Sequence, residues 1–176
     1  MIFRIFCLFA VFIPALVVAT NFTSPNLESV RGSQAQIDGF LSTHNEVRAA
    51  HGADPLAWSV PLADLAAAWA DSCLFEPSGG TLRTAPYGEN VVAATGFFPI
   101  TAAVNAFTQD AGQYNPASPT FSHFTQVVWK STTQLGCAIS RCNGIFDPSL
   151  RRASLYVCLY DPPGNVLGEA SQNIQV

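Results

Sequence analysis

The sequence predicts an α+β domain in which helices pack over a small antiparallel sheet. Helical periodicity fills the first half of the chain, and β-branched and aromatic runs occupy 134–140 and 154–160. No internal repeat or second domain interrupts that order, and helices first with strands last is the α+β arrangement.

The 176-residue chain opens with one basic residue, Arg4, then an almost unbroken apolar run over 5–18 that leads into Ala19. This is the layout of a secretory signal peptide. The run contains Pro14 and is shorter than the roughly 20 apolar residues a spanning helix needs. Residues 1–19 are read as the signal peptide, 20–32 as a flexible N-terminal arm, and 33–176 as one domain. Nothing later is apolar for long enough to form a transmembrane segment, so the expected location is extracellular. Asn21-Phe22-Thr23 is the glycosylation candidate.

Lys and Arg number 8 against 12 Asp and Glu. A chain so poor in cations has no footprint for a phosphate backbone, which excludes nucleic acid as the expected partner. Of the 5 cysteines, Cys7 leaves with the signal peptide. Cys73, Cys137, Cys142 and Cys158 are then an even set in an oxidising compartment, which reads as two disulfides with three pairings open.

Ser33 to Gln36 has the form of a capping box. It opens a helix with Ile37, Phe40, Leu41, His44 and Val47 on one stripe, ended by Gly52. His44 reads as a hydrogen-bonded core histidine and His51 as exposed. Ser59 caps a second helix with Leu62, Leu65, Ala66 and Trp69 facing inward and Cys73 at its end. Glycines and prolines mark a loop over 77–86, and an extended piece follows over 87–93. A third helix is expected over 101–114, with Val104, Phe107, Asp110 and Tyr114 along one side. The Asn-Pro and Ser-Pro steps near 115–119 break it. A short buried helix over 121–130 precedes the two strands.

Ser122-His123-Phe124-Thr125-Gln126-Val127-Val128-Trp129 resembles one signature of the CAP superfamily, the cysteine-rich secretory, antigen 5 and pathogenesis-related class 1 proteins. Leu155-Tyr156-Val157-Cys158-Leu159-Tyr160-Asp161-Pro162-Pro163-Gly164-Asn165 resembles the other. His44-Asn45 with Arg48, Pro55-Leu56-Ala57-Trp58 and Tyr87-Gly88-Glu89-Asn90 fall in the family's order. The likeness covers residues 34–174, and the stretches 129–134 and 168–176 look most like the fungal secreted branch. It implies a three-layer α–β–α sandwich with Cys73 joined to Cys142 and Cys137 to Cys158.

The resemblance also implies a central cavity of two histidines and two acids, which in some members holds zinc or another divalent ion. Glu89 and His123 match that pattern, and Asp110 stands where a glutamate is usual. Pro77 replaces the other histidine in Phe75-Glu76-Pro77-Ser78-Gly79-Gly80. Proline has no ligand atom, so zinc is expected to bind weakly or not at all, with Glu89, Asp110 and His123 as ligands at most, and no cofactor is required. The remaining trio reads as an internal ion pair of His123 with Glu89 or Asp110.

In function, the resemblance implies a secreted, non-enzymatic protein that binds a sterol or fatty acid, as a pathogenesis-related-like virulence or defence factor. The family's fatty-acid site is a channel between helices and its sterol site involves a flexible loop. Phe97, Phe98 and Ile100 in one apolar loop, and Tyr114 and Phe121 at the ends of another, are the candidate lipid contacts. One alternative is a secreted effector that binds a host or cell-surface protein without lipid. The other is a hydrolase using Ser78, which lacks a nucleophile-elbow motif and an oriented base.

Overall fold

The computed structural model describes residues 32–150 and 152–175. The expectations for the signal peptide, Asn21 and the arm up to residue 31 lie outside the described residues. Among the described residues, no helix is long and apolar enough to cross a membrane.

Helix α1 spans Gln34–Ala50. Its capping box forms as the sequence predicts: the Ser33 hydroxyl accepts from the Gln36 amide, and the Gln36 side chain accepts from the Ser33 amide. After strand β1 (Ala57–Trp58), helix α2 covers Val60–Asp71. Here the expected cap is corrected, because the Ser59 hydroxyl makes no capping bond and Pro61 in the first turn presets the start. Leu62, Ala63, Ala66 and Ala70 form the buried face. Trp69, expected in the core, is only half-buried, and its indole donates to the Glu76 carbonyl at 2.9 Å.

Strand β2 is Gly88–Thr95 and helix α3 is Ile100–Ala106. The helix predicted over 101–114 stops early, with Phe107 as its C-cap. Beyond it the amides of Phe107 and Thr108 reach back only three residues, and a separate 3-10 turn covers Ala111–Gln113. Thr108, Asp110 and Gly112 are poor helix formers, so the helical spacing of Phe107, Asp110 and Tyr114 is carried by tight turns. Helix α4 (His123–Val127) is shorter than predicted and capped by Ser122. Strands β3 (Gln134–Cys142) and β4 (Ala153–Asp161) follow, then helix α5 (Ala170–Asn173).

The sheet order is β1-β3-β4-β2. The β3–β4 and β4–β2 pairs are antiparallel, whereas β1 adds two residues parallel to β3, a pairing the sequence did not announce. Strand β4 is buried on both faces. Tyr156, Cys158 and Tyr160 meet Phe40, Val104, Phe107, Phe124 and Val127 on one side. Leu155, Val157 and Leu159 meet Leu62, Ala66 and Ala70 on the other. Helices α1, α3 and α4 thus form one layer and α2 the other, around the sheet, which is the three-layer sandwich. The disulfides are Cys73–Cys142 and Cys137–Cys158, closing separations of 69 and 21 residues.

Candidate functional site

Three elements converge where the sequence places a cavity: the start of β2, the turns after α3 and the first turn of α4. Asn90 of β2 donates to the His123 carbonyl at 3.1 Å. The Phe107 ring lies 6.0 Å from the His123 ring and 6.5 Å from that of His44.

Glu89 does not face an imidazole. Its Oε2 accepts from both the amide and the hydroxyl of Ser78, each at 2.9 Å. The single Ser78 proton is thereby committed, so the Tyr87 phenol donates to Ser78 Oγ, 2.5 Å away. Glu89 Oε1 is buried without a partner, as is Asp110 Oδ1. Burial pushes the Glu89 carboxyl above its usual value, and the two donations from Ser78 pull against that shift. Sequence reasoning missed Ser78 as the partner of Glu89; the only signal is its place next to Pro77.

Among the described residues, the His123 side chain is exposed and takes part in no ion pair. The expected pairing of His123 with Glu89 or Asp110 is therefore corrected: Ser78 takes the carboxylate that the histidine would have held. Pro77 is exposed and offers no donor atom. No group of three or more His, Cys, Asp or Glu among the described residues is placed to hold a metal ion. The residues present do not fit the family's zinc set. Among the described residues, the hydroxyl of Ser78 meets Glu89 and Tyr87 rather than an imidazole.

Behind the site lies a buried chain of polar groups. The Asn90 amide donates to the Tyr160 phenol at 3.2 Å, Tyr160 lies 2.9 Å from His44 Nε2, and His44 Nδ1 lies 2.8 Å from the Phe40 carbonyl. A carbonyl only accepts, so Nδ1 carries the proton and Nε2 accepts from Tyr160. Burial lowers His44 to about 4, which keeps this ring neutral at neutral pH, and burial raises the Tyr160 phenol. Arg48 is also fully buried and donates to the carbonyls of Asp54, Val127, Trp129 and Thr132 at 2.7–2.9 Å. It fastens α1 to the segment around α4. His51, expected to be exposed, is half-buried; its Nδ1 lies 2.7 Å from the Gln175 carbonyl.

The candidate lipid contacts separate into two kinds. Phe97 is 94% exposed. Phe98, Ile100, Tyr114 and Phe121 are partly buried and pack against the core, with the Phe98 ring edge-on to Tyr156 and Phe121 edge-on to Trp129. Phe121 also lines an open apolar groove of about 350 Å³ with Pro119, Leu167, Gly168, Ala170 and Ser171. Leu167, which sequence reasoning did not single out, is 89% exposed at its rim.

Comparison with known proteins agrees with this fold. The family described as "Cysteine-rich secretory protein family" (CAP) matches residues 41–160. The chain is 36% identical over 168 residues to "Fruiting body protein SC14" of Schizophyllum commune, covering 88% of this chain and 74% of that one. It is 35% identical over 138 residues to "Pathogenesis-related protein 1" of Arabidopsis thaliana, covering 74% and 78%. "Secreted protein RBT4" of Candida albicans is 41% identical over 138 residues, which is 73% of this chain but only 35% of that protein. Among solved structures, that of NaASP2 with Zn2+ aligns with TM-score 0.63 at 22% identity, covering 82% of this chain and 86% of that one. At that identity the likeness is one of fold.

Proposed function

The chain belongs to the cysteine-rich secretory protein (CAP) family, and from that premise we propose that it is a secreted, non-enzymatic binder of a sterol or fatty acid. The observation that carries the reading is the apolar groove beside Phe121. A leucine as exposed as Leu167 is costly in water unless something apolar covers it. The groove's lining is mostly apolar, with Ser171 able to meet a ligand hydroxyl or carboxylate. A volume near 350 Å³ suits part of a sterol or an acyl chain.

Secretion is supported by two disulfides, which persist in oxidising compartments, and by relatives named as secreted proteins. The binding needs no metal. Catalysis has no support, because Ser78 is engaged with Glu89 and Tyr87.

Saturation binding of labelled sterol and labelled fatty acid to the secreted protein tests the reading, with a native mass spectrum to detect co-purified lipid. Leu167→Asp should weaken binding about tenfold or more by placing a charge at an apolar rim. If neither lipid class binds and no lipid co-purifies, the reading fails and a protein-binding effector takes its place.

A further inference from the structure

One end of the sheet gathers exposed apolar side chains from three loops. Thr95, the last residue of β2, and Cys142, the last of β3, both pair with Ala153, the first of β4. The loop after β2, which carries Phe97, and the β3–β4 hairpin loop therefore leave the sheet side by side. The Cys73–Cys142 disulfide fastens the segment after α2, with Leu74 and Phe75, to the same end. The Phe75 ring stands edge-on to Phe146 of the hairpin loop, 6.1 Å away. Among the described residues six large apolar side chains are exposed, and Leu74, Phe75, Phe97 and Leu150 are four of them. Single exposed leucines are ordinary, but four such side chains gathered at one end mark a contact surface.

Positive charge collects at the same place. The chain has a net charge of −4, yet residues 141–152 hold Arg141, Arg151 and Arg152 against one acid, Asp147. The Asp147 carboxylate is turned to its own loop, where it accepts from the amide and the hydroxyl of Ser149. Arg141 and Arg152 flank the loop and are exposed. Arg152 lines a cleft of about 220 Å³ together with Phe146 and Leu150, so cation and apolar side chains share one patch. Of the other described cations, Arg48 is buried, Arg83 is paired with Asp161 and Lys130 donates to Gln175. Glu76 is the one acid beside the exposed residues of the other two loops.

We propose that this end of the sheet docks on an anionic bilayer surface. Phe97, Phe75, Leu74 and Leu150 enter the boundary between headgroups and acyl chains, and Arg141 and Arg152 meet lipid phosphates. Aromatic and aliphatic side chains ringed by arginine are the composition of an interfacial anchor. An arginine keeps its stem along the apolar patch while its guanidinium reaches phosphate oxygens. Side chains spread over three loop tips suit a fluid surface, which adapts to them, better than a partner of fixed shape. The acidic remainder of the chain is repelled by the same surface, which sets the orientation. The groove beside Phe121 shares no lining residue with this end, so the docking stands or falls independently of that groove.

Flotation of the secreted protein with phosphatidylcholine vesicles, with and without phosphatidylserine, tests the proposal. The protein should bind the mixed vesicles at low salt, about tenfold more weakly without the anionic lipid, and less as salt rises. Phe75→Ser combined with Leu150→Ser should weaken binding about tenfold, and Arg141→Ser and Arg152→Ser about fivefold each. All four positions are exposed, so thermal melts should match those of the natural protein. Phe97→Trp gives an independent reading, because its indole emission should shift to the blue on mixed vesicles. Absence of flotation with the mixed vesicles overturns the proposal. Flotation unchanged in every variant also overturns it, since the contact would then lie on another face. Self-association through these residues without flotation does the same, by making this end a protein interface.

Discussion

The Gln126 side chain fills the space that the missing side chain of Gly88 leaves open. Gln126 is buried, its Oε1 accepts from the Gly164 amide at 2.8 Å, and its Nε2 donates to Thr132 at 3.3 Å. A Cβ on Gly88 would run into that carboxamide, and one on Gly164 would sit 2.8 Å from its nitrogen. Gly88→Ala should therefore cost about 2 kcal/mol in denaturant melts, through overpacking and the loss of those hydrogen bonds. The double variant with Gln126→Ala should be less destabilised than the sum of the single ones. Gly136→Ala should cost more, about 3 kcal/mol, because its Cβ would strike the backbone of α2 at Ala63, which cannot rotate away. Additive effects at Gly88 and Gln126 would show that the fit is not the cause.

Arg48→Met should destabilise by about 3–5 kcal/mol. Methionine fills much of the volume but donates to none of the four carbonyls; that of Trp129 keeps the Thr132 amide, while those of Asp54, Val127 and Thr132 lose the guanidinium. Burial lowers Arg48 to about 10, which still leaves the guanidinium charged at neutral pH, so the loss should be the same at pH 6 and pH 8. Stability unchanged in the variant would mean that water replaces the guanidinium.

Stability should fall as pH drops from 6.5 toward 4. The unfolded imidazole of His44 titrates at 6.5 and the folded one at about 4. Within that window the unfolded state binds the proton and the folded state does not, so acid favours unfolding. The full contribution, on the order of 3 kcal/mol, is present above 6.5 and lost toward 4. Glu89 works against this slope, because its raised value gives stability that fades as pH rises through it. Urea melts across this range should lose much of their pH dependence in His44→Gln. A slope identical to that of the natural protein would place the titration elsewhere.

Titration calorimetry with zinc should give no tight binding for the natural protein. Pro77→His combined with Ser78→Ala supplies an imidazole and frees Glu89, and that pair should raise the affinity about tenfold or more. Tight binding by the natural protein, unchanged in the variant, would overturn the metal-free reading.

Much of the fold was legible because its signals are local. The Ser33–Gln36 box and the β-branched and aromatic run of β4 each act over a few neighbours. What was misread depends on partners far along the chain. Strand β1 is two residues with no pattern of its own, and only its pairing with Leu135 makes it a strand. Helix α3 was read too long because Phe107, Asp110 and Tyr114 keep helical spacing while Thr108 and Gly112 stop the hydrogen bonds. At the site, the damage at Pro77 was visible as a lost ligand. The repair by Ser78 was not, because a serine hydroxyl carries no pattern that says which carboxylate it will meet 11 residues away.

Strand β4 lies between β3 and β2 and contributes to both hydrophobic layers, yet it is synthesised after β1, β2 and β3. Tyr160, the partner of His44, is made 116 residues after it. Both disulfides likewise wait for cysteines at 142 and 158. A nascent chain that ends before residue 153 lacks the central strand on which both apolar layers meet, so neither layer can close ahead of its synthesis. Both layers can therefore close only once β4 has emerged. A premature stop before residue 153 should give degradation rather than a shortened, partly active product.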